Sequence, residues 1–446
     1  MFKESKVERD LLILGGGPAG MAAGYHAKKN NISFSIIESS NKVGGNCKTL
    51  SMGQFKYDTG AHRFHDKDKA VTRLIKSILK DDLIKVSAPS KIFWKNKSVE
   101  FPLELTSIIR TVPFHLLVKI SMENFLNSFR KISTFKNFRE FAYYKYGKTL
   151  SELFLINYTE KLWGESADLL SKNVSGNRLK NFNYLSLLKS FTNYGRKNEE
   201  HIEGSFFYPR NGFGSIFDAL YEIIGRKNIL LEDPVINIIL LQKDKYLVRT
   251  KSGKEIISGK IICTLPPNIF MNIMEPVPST HLLKITNNLK FRSLRLSIIA
   301  LNKDKFSNNA SLYFPEKKYP FSRIYEPKNR SKYLAPKNQT CIVVEVPCFS
   351  DDIIFKSKEK EFNDFVNKAL FRSNFFKKED IIDQKAYSME YAYPQQLEKD
   401  NEFQKVISFT KTLPNFITLG RNANFKYLHT HELFNQAEEC IRRYNS

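Results

Sequence analysis

The chain has 446 residues, 42% of them apolar, and a formal net charge of +24. This length predicts two or three domains, and the apolar content excludes disorder over most of the chain. Five scattered cysteines exclude a disulfide framework and show no metal-ligand spacing, so we expect a reducing compartment and no metal site. The basic residues are spread along the whole chain, which indicates a basic background composition rather than a specific nucleic-acid site and leaves an anionic substrate open.

The first predicted elements are a strand, a helix and a second strand. Residues 10–15 form a short apolar run, as expected of a buried parallel strand, residues 18–29 have the composition of a helix, and residues 33–38 form the next strand. The charged residues 1–10 lack the apolar core of a signal peptide, and no apolar run is long enough to span a membrane. We therefore expect a cytoplasmic protein.

The chain then changes from mixed to mainly helical character. We predict a helix at residues 70–79 and strands near Ile84 and Ile92, followed by helices from residue 103 to residue 191. Residues 103–129 are both amphipathic and basic. We favour an interpretation in which their apolar face packs into a helical domain, and the alternative is peripheral contact with the inner face of a membrane.

Strands alternate with helices in the rest of the chain. We predict one helix after Gly214, a second at residues 358–371 within strand-rich sequence, and a closing helix at residues 433–444. The strands of this part are predicted near Ile229 and at residues 235–240, 246–250, 260–264 and 416–419.

These elements predict an α/β fold with α+β inserts. Residues 1–95, 205–290 and 405–446 would together build one Rossmann-like cofactor domain, an arrangement typical of large flavoproteins. Residues 96–204 would form a helical domain, and residues 291–404 a substrate domain with a mixed or antiparallel sheet.

The turn after the first strand has the spacing of a dinucleotide-binding motif. Gly15 permits the tight turn, Gly17 lets the backbone approach a pyrophosphate, and Gly20 lets the helix pack closely on the strand. The N-terminus of the following helix offers N–H groups and a partial positive charge to phosphates. Glu38, at the end of the second strand, can accept hydrogen bonds from ribose hydroxyls. Together these features predict a bound dinucleotide.

A second glycine turn favours FAD over NAD as that dinucleotide. Gly44, Gly45 and Asn46 lie where the backbone can pass close to an extended cofactor. His62 and His65, two of only eight histidines, lie in the glycine-containing loop that follows. A position beside the flavin and a purely structural role are equally open for these two histidines.

Short motifs lie in order along nearly the whole chain. They are G-G-N-C at residues 44–47, G-A-H-x-F-H at 60–65, Y-T-E-K-L-W-G at 158–164, F-R-S-L at 291–294, P-F-S-R-I-x-E-x-K at 320–328, Y-P at 393–394, and G-R to F-K-Y at 420–427. Their ordered set resembles the motifs of the flavin-dependent UDP-galactopyranose mutases and, more distantly, those of protoporphyrinogen oxidase and the amine oxidases. The resemblance implies an FAD domain, a helical domain and a mixed-sheet domain.

The resemblance to the mutases also implies an activity. N5 of reduced FAD would attack the anomeric carbon of a nucleotide-diphosphate sugar and so interconvert its pyranose and furanose forms, in the biosynthesis of surface polysaccharides or glycoconjugates. NAD(P)H is a candidate reductant. The alternative is an FAD-dependent oxidoreductase of the amine oxidase or protoporphyrinogen oxidase type with a small or lipid-like substrate. A homodimer is compatible with both activities.

Individual residues acquire roles from the same resemblance. The substrate pyrophosphate would be held by arginine and tyrosine side chains, which suit phosphate oxygens, and an indole would lie in the same region. The expected substrate residues are Trp163, Arg178, Arg323, Tyr393 and Tyr427. His62, near the isoalloxazine, and Arg323 would take part in catalysis. Val235, Gly420 and Arg421 would complete the cofactor site, with Arg421 near the FAD pyrophosphate.

Two departures from the mutase pattern leave the substrate open. After the position of Tyr427 the mutases usually carry an acid near the flavin ribityl chain, whereas this chain has histidines at His429 and His431. Residues 207–214 look more like the oxidase branch. Flavin contacts or chemistry that differ from those of the mutases are therefore compatible with the sequence.

Overall fold

Two large sheets organise the part of the chain that the computed structural model describes, which comprises residues 7–103, 105–131, 134–172, 174, 205–395 and 402–443. The strands are β1 (Val7–Leu14), β2 (Phe34–Ile37), β3 (Thr49–Met52), β4 (Phe55–Asp58), β5 (Leu83–Ser87), β6 (Ser90–Trp94), β7 (Lys97–Phe101), β8 (Ser205–Pro209), β9 (Ile229–Leu230), β10 (Val235–Leu240), β11 (Tyr246–Thr250), β12 (Glu255–Cys263), β13 (Met274–Glu275), β14 (Phe291–Leu301), β15 (Ser311–Tyr313), β16 (Arg323–Tyr325), β17 (Thr340–Cys348), β18 (Ile381–Pro394) and β19 (Phe416–Thr418).

Helices cover the sheets and form a separate layer between β7 and β8. The α-helices are α1 (Pro18–Lys29), α2 (Lys69–Leu79), α3 (Leu105–Thr111), α4 (Phe114–Ser128), α5 (Phe138–Tyr146), α6 (Lys148–Ser151), α7 (Asn157–Trp163), α8 (Ser215–Ile224), α9 (Pro267–Phe270), α10 (Thr280–Asn287), α11 (Ile353–Lys356), α12 (Glu359–Phe371), α13 (Phe403–Thr412) and α14 (Thr430–Arg442). A π-helical turn, Glu152–Ile156, joins α6 to α7. No helix among the described residues is long and apolar enough to cross a membrane.

The first sheet is the Rossmann-like sheet that the sequence predicts. Its strand order is β13-β10-β11-β12-β1-β2-β9, and β19 pairs alongside β12. β1 runs parallel to both of its neighbours, β2 and β12, while β10, β11 and β12 form an antiparallel meander. The four apolar residues at the end of β1 are fully buried because α1 and α14 cover one face of the sheet and a second apolar cluster covers the other. The predicted fold class is therefore confirmed.

The second sheet is mainly antiparallel and has the order β18-β14-β17-β16-β15-β6-β7. All eleven residues of its central strand β14 are buried. β6 and β7 lie on either side of the boundary predicted at residue 95, and both belong to this sheet through the parallel pairing of β6 with β15. That boundary therefore does not separate the two sheets.

Most predicted elements occur at the expected places, and three begin at least three residues earlier than predicted, β1 among them, at Val7. β12 starts at Glu255 because its first half, which mixes polar and apolar residues, pairs with β11 as a hairpin. α14 starts at Thr430 because the carboxylate of Glu432 accepts a hydrogen bond from the backbone N–H of His429, at 2.7 Å, and caps the helix.

The amphipathic stretch at residues 103–129 forms α3 and α4. Ile108, Val112 and Ile120 are buried in the helical layer, as the favoured interpretation requires. The interpretation is nevertheless wrong for most of α4, where five large apolar side chains are exposed to solvent, as is Phe129 directly after the helix. The physical reason is that α4 packs inward through Leu116, Leu117 and Ile120 together with polar side chains, whose hydrogen bonds to α5 and α6 determine which face is outside.

A fully buried carboxylate at the end of β4 joins three distant parts of the chain. Oδ1 of Asp58 accepts hydrogen bonds from Thr49 Oγ1 at 2.6 Å and from the backbone N–H of Phe213 at 2.9 Å. Its Oδ2 accepts from the Tyr208 hydroxyl at 2.5 Å, and its backbone carbonyl accepts from the Tyr325 hydroxyl. Burial raises the pKa of Asp58, and these hydrogen bonds oppose that rise.

We expect the substitution Asp58→Asn to lower the free energy of unfolding by about 2 kcal/mol, because an amide nitrogen would face one of the donors that the carboxylate now accepts from. Denaturant unfolding measures the change. The control is Asp218→Asn, which removes an exposed ion pair with Lys42 and should leave stability unchanged. Equal stability of the two variants would contradict the role given to Asp58.

Candidate functional site

The first turn of α1 passes too close to the end of β1 for a side chain at Gly20. A Cβ atom at Gly20 would lie 1.9 Å from the carbonyl oxygen of Gly15, so helix and strand pack here without room for a methyl group. Gly15 itself has a φ of +102°, in the region that favours glycine. The strand and helix of the predicted dinucleotide motif are therefore held in the geometry that the motif requires.

Three glycine turns from distant parts of the chain converge at the N-terminus of α1. The backbone N–H of Gly44 donates to the carbonyl oxygen of Gly16 at 2.8 Å, and a Cβ atom at Gly45 would lie 3.1 Å from the Cα of Gly17. A Cβ atom at Gly420 would lie 2.9 Å from the Cβ of Ala19. α1 has no acidic residue in its first turn and no side-chain cap, so its first N–H groups face this cradle. The cradle suits a diphosphate.

Glu38 lies directly beneath the same turn. Its Oε2 accepts a hydrogen bond from the N–H of Gly16 at 2.8 Å, and its Oε1 accepts from the N–H of Ser40 at 2.9 Å. The backbone N–H of Asp233 donates to the carbonyl oxygen of Glu38, at 3.1 Å, which places Val235 at the start of β10 close to the acid. Glu38, the predicted ribose-binding acid, and Val235, a predicted cofactor residue from the second part of the FAD domain, thus lie close together. The residues present fit the adenosine half of FAD.

His62 is partly buried and neutral. Its Nε2 lies 2.8 Å from the carbonyl oxygen of Asn46, a contact that assigns the proton to Nε2. Burial lowers the pKa of His62 to about 3, and the positive charges of Arg421, Arg323 and Arg330 act in the same direction. His62 therefore adds no charge to the site at neutral pH. Its place between the second glycine turn and three arginines agrees with the predicted position beside a flavin.

The thiol next to this histidine is not a nucleophile. Cys47 Sγ lies 3.9 Å from Nδ1 of His62, and burial raises the pKa of Cys47 to about 12. The described residues also contain no group of histidine, cysteine or acidic side chains that could hold a metal ion.

Three predicted substrate residues and one predicted cofactor residue are in contact. The ring of Tyr393 lies 6.0 Å from the ring of Trp163 and 6.0 Å from the ring of Tyr427, measured between centroids. The guanidinium of Arg421 lies 4.6 Å from the Tyr427 ring and 5.8 Å from the Tyr393 ring. The cluster unites the ends of α7 and β18 with the loop before α14. Of the other predicted substrate arginine, Arg178, nothing is described, because it lies outside the described residues.

Arg323, on β16, is buried beside an acid that the sequence interpretation missed. Its Nε and Nη2 atoms each donate to a carboxylate oxygen of Glu345 at 2.8 Å. Oε1 of Glu345 also accepts from the backbone N–H of Ala61 at 3.1 Å, which ties the pair to the His62 loop. Burial alone would lower the pKa of Arg323, but Glu345 acts together with the neighbouring tyrosines and holds that pKa well above its usual value. The sequence signal for Glu345 is a lone acid in the apolar strand β17.

Tyr313 and Tyr158 extend the site on the side of the helical layer, and no sequence feature had pointed to Tyr313. The guanidinium of Arg323 lies 5.9 Å from the ring of Tyr313, whose centroid lies 5.7 Å from that of Tyr158. Arg323 therefore faces aromatic rings on one side and the carboxylate of Glu345 on the other. These contacts keep its guanidinium in the site and limit its motion.

Two motif residues hold α7, and with it Trp163, in place. Lys161 Nζ donates to the carbonyl oxygens of Phe314 and Glu316, both at 2.7 Å, and burial lowers the pKa of Lys161 to about 7. Arg292 donates to the carbonyl oxygen of Leu162 at 3.0 Å. The lysine and arginine of these motifs therefore position the tryptophan rather than face a ligand.

The histidines that replace the usual acid begin the last helix. The rings of His429 and His431 are stacked at 5.7 Å, and the ring of His429 lies 5.5 Å from that of Tyr427. This departure from the mutase pattern is thus in direct contact with the aromatic cluster and is not confined to the surface.

Comparison with known proteins gives the family and the fold. The family model described as flavin containing amine oxidoreductase matches residues 18–325. The chain is 31% identical over 120 residues to protoporphyrinogen oxidase 1 of the chloroplast of Arabidopsis thaliana, which covers 26% of this chain and 22% of that protein. It is 22% identical over 330 residues to the corticosteroid-binding protein of Candida albicans, covering 67% of this chain and 62% of that protein. The chain spans about a fifth of the length of the curated protoporphyrinogen oxidases that it matches.

Solved structures match nearly the whole chain. The crystal structure of reduced UDP-galactopyranose mutase covers 98% of this chain and 95% of its own length with a TM-score of 0.86 and 18% identity. Cyclohexylamine oxidase from Brevibacterium oxydans covers 98% of this chain and 100% of its own length with a TM-score of 0.66 and 12% identity. At such identities these matches show the fold alone.

The glycine cradle gives a test of where the diphosphate lies. Gly17 has a φ of −72°, and a Cβ atom there would lie 3.8 Å from the Cα of Gly45, which is an ordinary van der Waals contact. We expect Gly17→Ala to fold normally but to bind FAD about tenfold more weakly or worse, because the methyl group would occupy the approach of the pyrophosphate. Flavin content and titration with FAD measure the effect, and thermal unfolding of the flavin-free protein checks the fold.

Gly259→Ala is the matched control for this cradle variant, since a Cβ atom at Gly259 would meet nothing within 4 Å. It should bind FAD as the unaltered protein does. If Gly17→Ala also kept full affinity, the pyrophosphate would not pass over this turn.

His62 should make the protein less stable in acid. The unfolded chain takes up a proton near the usual histidine pKa of 6.5, whereas folded His62 does so only at about 3, so stability falls as the pH drops between these values. We expect His62→Gln to make the decrease shallower by about 1.4 kcal/mol per pH unit. Denaturant unfolding at several pH values tests this expectation. Substitution of the exposed His281 by Gln should leave the decrease unchanged, and an unaltered pH dependence in His62→Gln would contradict a neutral, partly buried imidazole.

Proposed function

Because the chain belongs to the flavin-containing amine oxidoreductase family, we propose that it is a flavoenzyme that interconverts the pyranose and furanose forms of a nucleotide-diphosphate sugar, with FAD in its reduced form. NAD(P)H as reductant and a place in the biosynthesis of surface polysaccharides or glycoconjugates belong to the same proposal. The observation that carries it is the cluster of Trp163, Tyr393, Tyr427 and Arg421 beside the buried Arg323.

The chemistry of this cluster suits a nucleotide diphosphate. Guanidinium groups donate to phosphate oxygens with a fixed geometry, and phenolic hydroxyls add neutral donors. Three arginines act electrostatically on His62, while Glu345 is the carboxylate bound to Arg323, so the surroundings of His62 favour a ligand with negative charge. The overall likeness to UDP-galactopyranose mutase supports the proposal at the level of the fold.

Each side chain has a physical task in this proposal. When bound, the reduced flavin supplies the nucleophile that attacks the anomeric carbon. Arg323, Tyr393 and Tyr427 hold the pyrophosphate where negative charge develops as the nucleotide leaves. The indole of Trp163 covers the same space and excludes water from it. The neutral His62 orients the loop beside the flavin through its hydrogen bond to Asn46, without competing for the anion.

A second candidate function is a net oxidoreductase of the amine oxidase type, acting on a small or lipid-like substrate. Two observations favour it. Glu345 forms a bidentate ion pair with Arg323, which reduces the charge available to a diphosphate, and His429 stands against Tyr427 where the mutases usually have an acid. In this alternative bound FAD would supply a hydride acceptor for the substrate, and a separate electron acceptor would be needed to regenerate it.

Anaerobic assays distinguish the two functions. Protein reduced with dithionite is incubated with UDP-sugars and dTDP-sugars, and the products are separated by chromatography. We expect an isomer of the same mass to form only with reduced flavin and without net oxidation or reduction. Oxidised protein is assayed in parallel, in air or with an added electron acceptor. Formation of peroxide or of reduced acceptor there in stoichiometric amounts, with no isomer in the anaerobic reaction, would contradict the mutase proposal and support the oxidoreductase.

Variants connect this activity to the cluster. We expect Arg323→Lys to lower kcat/KM about 100-fold, because lysine lacks the bidentate donors that stabilise developing charge. Tyr393→Phe removes one donor and should have a smaller effect in the same direction. Arg226→Lys, in an exposed ion pair with Glu222, is the matched control and should be fully active. Flavin spectra and melting temperatures show whether a loss of activity reflects a damaged fold.

A further inference from the structure

α4 turns its apolar side outward. Its exposed large side chains repeat at helical spacing, so that they share one side of the helix. They are Phe114, Val118, Met122, Phe125, Leu126 and Phe129, the last of these directly after the helix, and we call them the apolar face. Phe114 is 79% exposed and Phe129 72% exposed, which is unusual for side chains that gain so much from burial.

Polar side chains on the opposite side fix this orientation. Asn124 donates to the carbonyl oxygen of Tyr146 at 3.0 Å, and Asn127 donates to that of Tyr143 at 2.7 Å. Glu123 accepts from the backbone N–H of Thr149 at 2.6 Å and from its hydroxyl at 2.7 Å. Rotating α4 to bury its phenylalanines would break these hydrogen bonds and leave buried polar groups without partners. The outward apolar face is therefore built into the packing of the helical layer.

Basic residues outnumber acids in the described stretch 105–131 that carries the apolar face. Arg110, Lys119, Arg130 and Lys131 are all exposed. The sole acid among residues 105–131 is Glu123, which is bonded to Thr149 on the inner side. An apolar strip in a basic stretch has the chemistry of a helix that lies in the interface of an anionic bilayer.

We propose that the apolar face of α4 docks the protein onto an anionic lipid surface, with the helix parallel to the plane of the membrane. The helix of fifteen residues is about 22 Å long, and all its outward apolar side chains can enter the headgroup region together. A second copy fits the face less well, because pairing two such faces would bring two basic stretches together in chains that each carry a net charge of +24. The membrane contact does not depend on which reaction the flavin site catalyses.

Sedimentation with vesicles tests the proposal on the full flavin-loaded protein. We expect binding to phosphatidylcholine vesicles that contain phosphatidylglycerol, weaker binding to phosphatidylcholine alone, and release at high salt. The double variant Phe125→Ser and Phe129→Ser should lower the partition coefficient at least about tenfold. Charge reversal at Lys119, Arg130 and Lys131 should abolish the preference for phosphatidylglycerol.

The control is Ile353→Ser, which removes an exposed apolar side chain from α11, outside the apolar face. It should bind vesicles as the unaltered protein does. Flavin content and turnover should be unchanged in all three variants, since none alters the flavin site. Equal and weak binding to both kinds of vesicle would overturn the proposal. A lipid-free dimer that Phe125→Ser and Phe129→Ser converts to a monomer, detected by light scattering, would overturn it in favour of a second copy.

Discussion

The buried carboxylate of Asp58 is the constraint on which the site depends. It binds β4 to β8 and to the turn before α8, segments about 150 residues away in the sequence. The next residue, Thr59, donates to the carbonyl oxygen of Asn46 at 2.8 Å, and so aligns the second glycine turn with the loop that carries His62. Because four donors converge on Asp58, small displacements of any one segment would leave a buried polar group without a partner.

The same loop connects the cofactor side of the site to the substrate side. The backbone N–H of Ala61 binds Glu345, and Glu345 binds Arg323, so the position of the arginine depends on the loop beside the flavin. A pair of opposite charges buried in this way is costly unless each oxygen and nitrogen has a partner, and both oxygens of Glu345 do. Glu345 therefore offsets part of the positive charge that Arg323 brings to the site.

The sequence predicted those features that depend on neighbours in the chain. β1, α1 and β2 were predictable because a strand buried on both faces and a glycine turn leave local signals, and the same holds for the bounds of β10 and β11. The pairing of β6 with β15 was not, because the alternation within a strand says nothing about a partner two hundred residues away. Glu345 was missed for a similar reason, since its partner Arg323 lies on a different strand. The ordered set of motifs predicted that Trp163, Tyr393 and Tyr427 share one site. The local sequence pattern around each residue did not predict this.

α4 shows most clearly what sequence periodicity cannot predict. Periodicity identifies side chains that share a side of a helix, but it does not determine whether that side faces the core. Here Asn124 and Asn127 decide, since their amides donate to backbone carbonyls at the end of α5. From α5 the chain continues through α6 and the π-helical turn into α7, which ends at Trp163. The bonds that expose the apolar face thus also anchor the helices that bring the tryptophan to the substrate cluster, so the outward phenylalanines and the inward indole follow from one packing arrangement.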